Sequence, residues 1–305
     1  MKKGFLNSRL QTNIATQSPL GVPDRALDHS RAIGMILVEE GRLATGDVDR
    51  ILRFAIERNV RFGDAGVQLN LLKPEDVLFA LARQFNNPLL PRGAPDGVAD
   101  DVIAGYNPQC AQVEPLRALR SQLMLRWYPE SRRRVLAVIS PERGEGRSWL
   151  VANLGTAFSQ IGVRTLIIDA DLRHPRQHQM FNLNTQGGLC EVLTGRGGGE
   201  VARRIHPQLR LFVLAAGDLP PNPQELLSRP MFEVVVSRFA EQFDLVLLDT
   251  PAASESADAQ IIAAHGGSAL LLARQNRTRR EPLRETMKSL QQVGVNIVGS
   301  IINEH

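Results

Sequence analysis

The second half of the chain alternates short apolar runs with longer amphipathic stretches. The runs at 135–139, 165–168, 211–214, 245–248, 268–272 and 296–302 are dense in Val, Ile and Leu. Continuous apolar runs of that length mark strands covered on both faces. Between them, 147–160, 223–242, 255–265 and 280–293 repeat apolar residues at three- and four-residue steps, the period of a helix with one buried face. Strands alternating with helices predict a doubly wound α/β domain with a parallel sheet. Ligands of such a domain sit at the carboxyl ends of its strands.

The first half has a different pattern. Residues 1–28 are polar and unpatterned, which predicts a mobile tail. Residues 29–90 contain an ungapped internal repeat: Gly34 matches Gly63, Gly41 matches Asn70, Val48 matches Val77 and Leu52 matches Leu81, each 29 positions apart. Each copy reads as a short helix, a glycine or asparagine turn and a longer helix, the latter starting near Thr45 and Pro74. Burying one copy against the other makes a small helical docking domain. Residues 91–112 are rich in Pro, Gly and Asp and read as a linker or surface arm. In 113–128, Leu116, Leu119, Leu123 and Met124 form an apolar helical stripe, with Glu114, Arg117 and Arg120 on the opposite face.

Composition narrows the classes. The chain has 305 residues, 43% of them hydrophobic. No apolar run approaches the roughly 20 residues of a membrane span, and the opening MKKGFLNSRL lacks the apolar core of a signal peptide. Two cysteines, Cys110 and Cys190, are too few for a disulfide framework or metal cage and fit a reducing cytoplasm. The net charge of +4 comes with arginine clusters at 132–134, 203–204 and 277–280. With aromatics at 5%, these read as solvated faces open to acidic partners or lipid headgroups, not as a nucleic-acid footprint.

The candidate chemistry centres on VLAVISPERGEGRSWLVANLG, residues 135–155. Strand, glycine loop, helix is the context of a phosphate-binding loop. Backbone N–H groups close on phosphate oxygens only where no Cβ intrudes, and a helix start adds a positive dipole end. Arg143, Gly144, Glu145, Gly146, Arg147, Ser148 and Trp149 are therefore candidate phosphate-site residues, with Arg147 at the cation position and Ser148 at the Mg²⁺ position. The usual pattern has Lys where this chain has Arg147, and Gly where it has Pro141. Arginine keeps the charge but spreads it over a planar fork. Two acidic signals follow at strand ends. Asp169 and Asp171 lie in LIIDADLRHP, and Asp249 ends the apolar run of FDLVLLDTPA. Paired carboxylates beside a phosphate site can hold Mg²⁺ or orient an attacking hydroxyl. Together the three motifs predict an Mg-nucleotide site.

Residues 113–305 resemble the kinase domain of bacterial tyrosine kinases (BY-kinases), relatives of the MinD/ParA ATPases. The resemblance runs through SPERGEGRS, LIIDADLRHP with Phe181 after it, GLCEVLTG, AAGDLPPNPQELLSRP and LVLLDTP. The whole chain is similar to the EpsG-type chain length determinant kinases of exopolysaccharide clusters, where arginine at the loop's cation position is common. The resemblance implies a P-loop fold and ATP with Mg²⁺ as cofactors. It implies Gly144 to Ser148 on the phosphates, Ser148, Asp171 and Asp249 on the metal, Asp169 as base, and catalytic roles for Asp169, Asp171 and Arg147. It also implies that Glu114, Arg117 and Arg120 pack protomers into a homo-oligomeric ring. A separate inner-membrane chain-length co-polymerase would act as adaptor, holding a cytoplasmic protein at the inner face of the membrane. Residues 29–90 resemble the MshEN domain of type II secretion and type IV pilus ATPases, which binds cyclic di-GMP. The second copy fits that pattern at Arg61, Phe62, Gly63, Val77, Leu81 and Gln84. The first copy offers Gly34 and Gly41, with Arg31 beside Ala32 at the arginine position and Ala55 at the glutamine position.

One departure shapes the functional expectation. The family phosphorylates a C-terminal tyrosine cluster, whereas the tyrosines here are Tyr106 and Tyr128 and the last residues read VGSIINEH. The leading expectation is an Mg-ATP-dependent regulator of exopolysaccharide chain length and export, without the usual tail autophosphorylation. Two alternatives stand beside it. One is a non-catalytic nucleotide switch tuned by cyclic di-GMP. The other is a MinD/ParA-type ATPase, although Pro141 and Glu142 replace the early lysine of those loops.

Overall fold

The computed structural model describes residues 24–84, 89, 90, 92, 97–131, 134–183, 187–196 and 201–304. Most of the expected tail, residues 1–23, lies outside these, and Asp24 already begins a helix. The chain divides into two compact units, Met1–Asn86 and Asn87–His305.

In the first unit the helices are α1 (Asp24–Glu39), α2 (Thr45–Arg58), α3 (Phe62–Gln68) and α4 (Pro74–Gln84). They close around Leu37, Ile51, Leu52, Phe62, Ala65 and Ala80. The 29-residue repeat recurs in the contacts. A Cβ on Gly34 would stand 2.8 Å from Val48 Cγ1, and one on Gly63 would stand 2.4 Å from Val77 Cγ1. The turn residues Gly41 and Asn70 both adopt positive φ, 68° and 53°, the conformation that glycine and asparagine tolerate best. The glycines thus let the first helix of each copy touch the second, although in the first copy α1, at 16 residues, is the longer of the two and not the short helix expected. Gly63→Ala is expected to cost about 1–3 kcal/mol by overpacking. Val77→Ala in the same chain should recover most of the loss in a denaturant titration.

The second unit begins with α5 (Ile103–Tyr106) and α6 (Val113–Arg126). Then follow β1 (Val135–Ile139), α7 (Arg147–Gln160), β2 (Thr165–Asp169), α8 (Gln177–Met180), α9 (Leu189–Leu193), β3 (Arg203–Arg204) and β4 (Leu211–Leu214). The chain continues through α10 (Pro223–Leu227), α11 (Pro230–Gln242), β5 (Leu245–Asp249), α12 (Asp258–Gly266), β6 (Ser268–Arg274), α13 (Arg280–Gln292) and β7 (Asn296–Asn303). The sheet order is β3-β4-β2-β5-β1-β6-β7. Every pairing is parallel except that of the two-residue β3 with β4. Along β1, Val135, Ala137 and Ile139 enter one core with Phe232, Val236 and Ile262, while Leu136 and Val138 enter the other with Leu123, Leu154 and Phe158. A strand buried on both faces needs apolar residues at every position, and β1, β2 and β5 are buried throughout.

Two local differences from the sequence reading have physical causes. The helix expected over 223–242 is broken into α10 and α11, because Pro230 opens the second helix and Arg229 before it is extended, at φ −72° and ψ 147°. The described part of the 91–112 stretch packs onto this unit: Val98, Val102 and Ala104 are buried. The buried Asn153 of α7 accepts a hydrogen bond from Ala104 N at 2.9 Å and donates to Asp101 O at 2.8 Å. Apolar residues scattered in a Pro/Gly-rich composition carry no period, but three of them suffice to dock the segment.

Candidate nucleotide site

Strand order brings the three motifs together. β5 lies between β1 and β2, with Val138 opposite Asp249 and Asp169 opposite Asp249 in the register. The loop after β1 and the acidic ends of β2 and β5 therefore open at one carboxyl edge, at the point where the chain order reverses.

The phosphate loop is held from several sides. Gly144 and Gly146 have φ of 77° and 102°. A Cβ on Gly146 would meet Asn303 Nδ2 at 2.6 Å, and one on Gly144 would stand 3.4 Å from the Arg277 guanidinium. The Glu145 side chain, a sequence candidate for ligand contact, is buried beneath the loop instead. Its carboxylate accepts hydrogen bonds from Glu142 N at 2.8 Å and from Thr278 Oγ1, because those donors lie under the loop. Asn303 Nδ2 donates to Glu145 O at 2.9 Å, and Arg274 Nη1 to Gly144 O at 3.1 Å. Arg277 stands beside the loop but is exposed, as are Arg279 and Arg280, in keeping with the reading of that cluster as a solvated face.

Arg147 is buried. Its Nε donates to Thr250 O at 2.8 Å, and its Nη1 to Glu142 O at 2.8 Å and to Ser140 Oγ. One guanidinium edge joins the ends of β1 and β5 to the loop, a span that an ammonium point charge cannot bridge in the same way.

The carboxylates divide by environment. Asp249 is buried, and burial pushes its pKa up to about 6 against hydrogen bonds from Gln177 and Ser148 and the nearby Arg147 charge. Asp169 is also buried, and burial first and the Asp249 charge second hold its pKa well above the ordinary carboxylate range. Its Oδ2 accepts from Arg176 N at 3.0 Å and Gln177 N at 2.9 Å. Expected as the base, Asp169 instead sits behind the cleft, because β2 ends with its side chain under the 176–177 backbone. Asp171 lines the cleft and accepts from Arg173 N at 3.1 Å and His174 N at 2.8 Å. Arg173 is tied in turn to the buried Asp258 at 2.7 Å.

A cleft of about 290 Å³ is lined by Arg143, Gly146, Ser148, Trp149, Asp171 and Arg176 among others. A second, apolar pocket of about 250 Å³ adjoins it, sharing Gly146 and Trp149 and walled by Leu116, Leu119, Leu272 and Ile302. One polar, charged compartment beside one apolar compartment is the layout for a ligand with a phosphate end and a base end. Asp169 Oδ1 and Asp249 Oδ1 are buried without a hydrogen-bond partner, which fits a cation or its water beside them. Among the described residues no group of three or more His, Cys, Asp or Glu forms a ready-made metal cage. Mg²⁺ commonly takes one or two carboxylates together with substrate phosphates and water, so the donor set present is adequate.

Outside this site, α6 carries Glu114, Arg117 and Arg120. Arg117 pairs with Glu114 at 3.3 Å, and Arg120 donates to Ala157 O at 2.8 Å. Tyr106 donates its hydroxyl to Asp100 O at 2.7 Å, and Tyr128 accepts from Arg134 Nη1 at 3.1 Å. In the first unit Arg61 is exposed and precedes α3, Gly34 and Gly63 are occupied in helix packing, Gly41 forms a turn and Gln84 ends α4. The side chain of Arg31 lies outside the described residues. Among the described residues no helix is long and apolar enough to cross a membrane.

Sheet, loop and strand-end carboxylates define an α/β P-loop nucleoside-triphosphatase fold. No protein-family model matches the chain. It is 34% identical over 203 residues to tyrosine-protein kinase Ptk of Acinetobacter johnsonii, which covers 67% of this chain but 28% of that protein. Against tyrosine-protein kinase YwqD of Bacillus subtilis it is 32% identical over 203 residues, covering 67% of this chain and 85% of the relative. The kinase domain of the Escherichia coli tyrosine kinase ETK superposes with a TM-score of 0.64 at 29% identity, covering 70% of this chain and 82% of that domain. The chain belongs to the bacterial tyrosine kinase family.

Two expectations test the site. Arg147→Lys keeps the charge but gives up the fork, and should destabilise the unit by about 1–3 kcal/mol in a denaturant titration. Asp249 has a folded pKa near 6, above the unfolded carboxylate value of about 4. Its charge therefore weighs against folding as pH rises through that window. Asp249→Asn should raise the thermal midpoint at about pH 8 in metal-free buffer, with the gain vanishing below about pH 3, where both states hold the proton.

Proposed function

We propose that the second unit binds Mg²⁺–ATP and transfers its γ-phosphoryl group to a hydroxyl acceptor, within a system controlling exopolysaccharide chain length and export. The observation that carries this reading is the convergence of the glycine loop, Asp171 and Asp249 on one edge of the sheet, beside paired polar and apolar compartments. The loop N–H groups and the start of α7 take the phosphates. Arg147 offers charge at the loop from a fixed position. Ser148, Asp171 and Asp249 hold the metal, which when bound neutralises phosphate charge. Asp171, facing the cleft, orients the attacking hydroxyl and accepts its proton, while the buried Asp169 fixes the 176–177 backbone behind it. This inventory suffices because phosphoryl transfer depends on positioning and charge neutralisation more than on covalent catalysis.

The wider reading has a separate inner-membrane co-polymerase adaptor and a ring assembled through Glu114, Arg117 and Arg120, at the cytoplasmic face of the membrane. Family membership supports it, as does the placement of Glu114 on the exposed side of α6. For the first unit, the packing of Gly34 against Val48 and of Gly63 against Val77 supports the role of a helical docking domain.

The test is an assay with γ-phosphate-labelled ATP on the full chain, with and without the adaptor's cytoplasmic tail, reading protein-bound label and free phosphate together. Mg²⁺-dependent label or phosphate that is lost in Ser148→Ala and Asp171→Asn is the expected result. Intact ATP binding with neither product would leave a nucleotide switch in place of a kinase. Absence of ATP binding would overturn the reading.

A further inference from the structure

One buried residue touches all three motifs, and nothing in the sequence pattern marked it. Gln177 opens the four-residue α8 and is wholly removed from solvent. Its backbone N–H donates to Asp169 Oδ2 at 2.9 Å. Its side-chain Nε2 donates to Asp249 Oδ2 at 2.8 Å and to Ser148 O at 3.0 Å. Its Oε1 is buried without a hydrogen-bond partner, as are Asp169 Oδ1 and Asp249 Oδ1.

A primary amide has two N–H donors, and here both go to groups on the metal side of the site. One holds the carboxylate at the end of β5. The other holds the first turn of α7, whose residue 148 bears the hydroxyl that reaches the same carboxylate. The amide therefore sets the distance between Ser148 and Asp249, which come from elements 101 positions apart in the chain. The unpartnered Oε1 is a further buried acceptor on the same side chain, left without a donor in the protein itself. A Gln retained only to fill space would leave a buried polar atom at a cost that an apolar residue avoids.

We propose that Gln177 is a positioning residue for the metal half of the site, holding Asp249 and Ser148 at the spacing a nucleotide-bound Mg²⁺ requires. The proposal rests on the nucleotide reading above, and it predicts a split that a purely structural role would not give. With the amide gone, the loop glycines and the α7 start still meet the phosphates. Affinity for nucleotide in the absence of metal then stays near wild type, while the gain on adding Mg²⁺ shrinks.

The experiment is isothermal calorimetry of ADP binding to the full chain, in EDTA and in Mg²⁺, for wild type, Gln177→Leu and Gln177→Glu. Gln177→Leu keeps the shape and loses both donors; Gln177→Glu keeps the shape and sets a carboxylate against Asp249. For both variants the Mg²⁺-dependent increase in affinity should fall by about 10- to 100-fold, the weight of a hydrogen bond to a charged group. Binding in EDTA should change less than about threefold on the same scale. Equal losses in EDTA and Mg²⁺, or an unchanged Mg²⁺ gain, would overturn the proposal. Should both variants fail to fold, Gln177→Asn, which keeps the amide but shortens its reach, is measured in the same way and must show the same split. Failure of wild type to bind ADP in either buffer would count against the nucleotide reading itself.

Discussion

Two carboxyl groups, Asp169 and Asp249, end neighbouring parallel strands and are withdrawn from water. Removing such groups from solvent is costly unless donors surround them. The rest of the site is arranged around that cost. The 176–177 backbone turns its N–H groups to Asp169, the Gln177 amide and Ser148 hydroxyl turn to Asp249, and Arg147 is buried nearby with its positive charge. The neutralisation is incomplete, since one oxygen of each carboxyl group lacks a partner. A site under-supplied with positive charge in this way is poised to gain from a divalent cation.

The glycine loop meets the opposite requirement. Its backbone must stay open to an anion, so it cannot be stabilised by side chains over its concave face. Support comes instead from below and beside: the Glu145 carboxylate, Thr278, Arg274 and Asn303. The last three lie in β6, β7 and the connection after β6, far along the chain from the loop. Support for the loop thus comes from the edge strand β7 and from β6 beside it, without a recognisable motif in either.

How much of this was readable beforehand depended on whether the signal was local. β1, β2 and β5 are apolar at each buried position and stood out, as did the 29-residue repeat, whose glycines turned out to be contact points. The strand-end aspartates were legible because the fold rule says where to look. Gln177 was not, because its partners lie 8, 29 and 72 positions away and α8 is too short to show a period. The inward turn of Glu145 was hidden for the same reason, since its partner Thr278 is 133 positions distant. The break at Pro230 was open to a local reading, but the apolar period on both sides of it masked the proline.

The bonds of Arg147 have an entropic side. A loop of glycines and exposed polar residues would ordinarily lose roughly 1–2 kcal/mol of conformational entropy per residue when it closed on a ligand. Here the guanidinium already clasps Ser140, Glu142 and Thr250, so much of that ordering belongs to folding and is complete before an anion arrives. An anion that binds there would meet a backbone already set, with that share of the ordering entropy lost at folding.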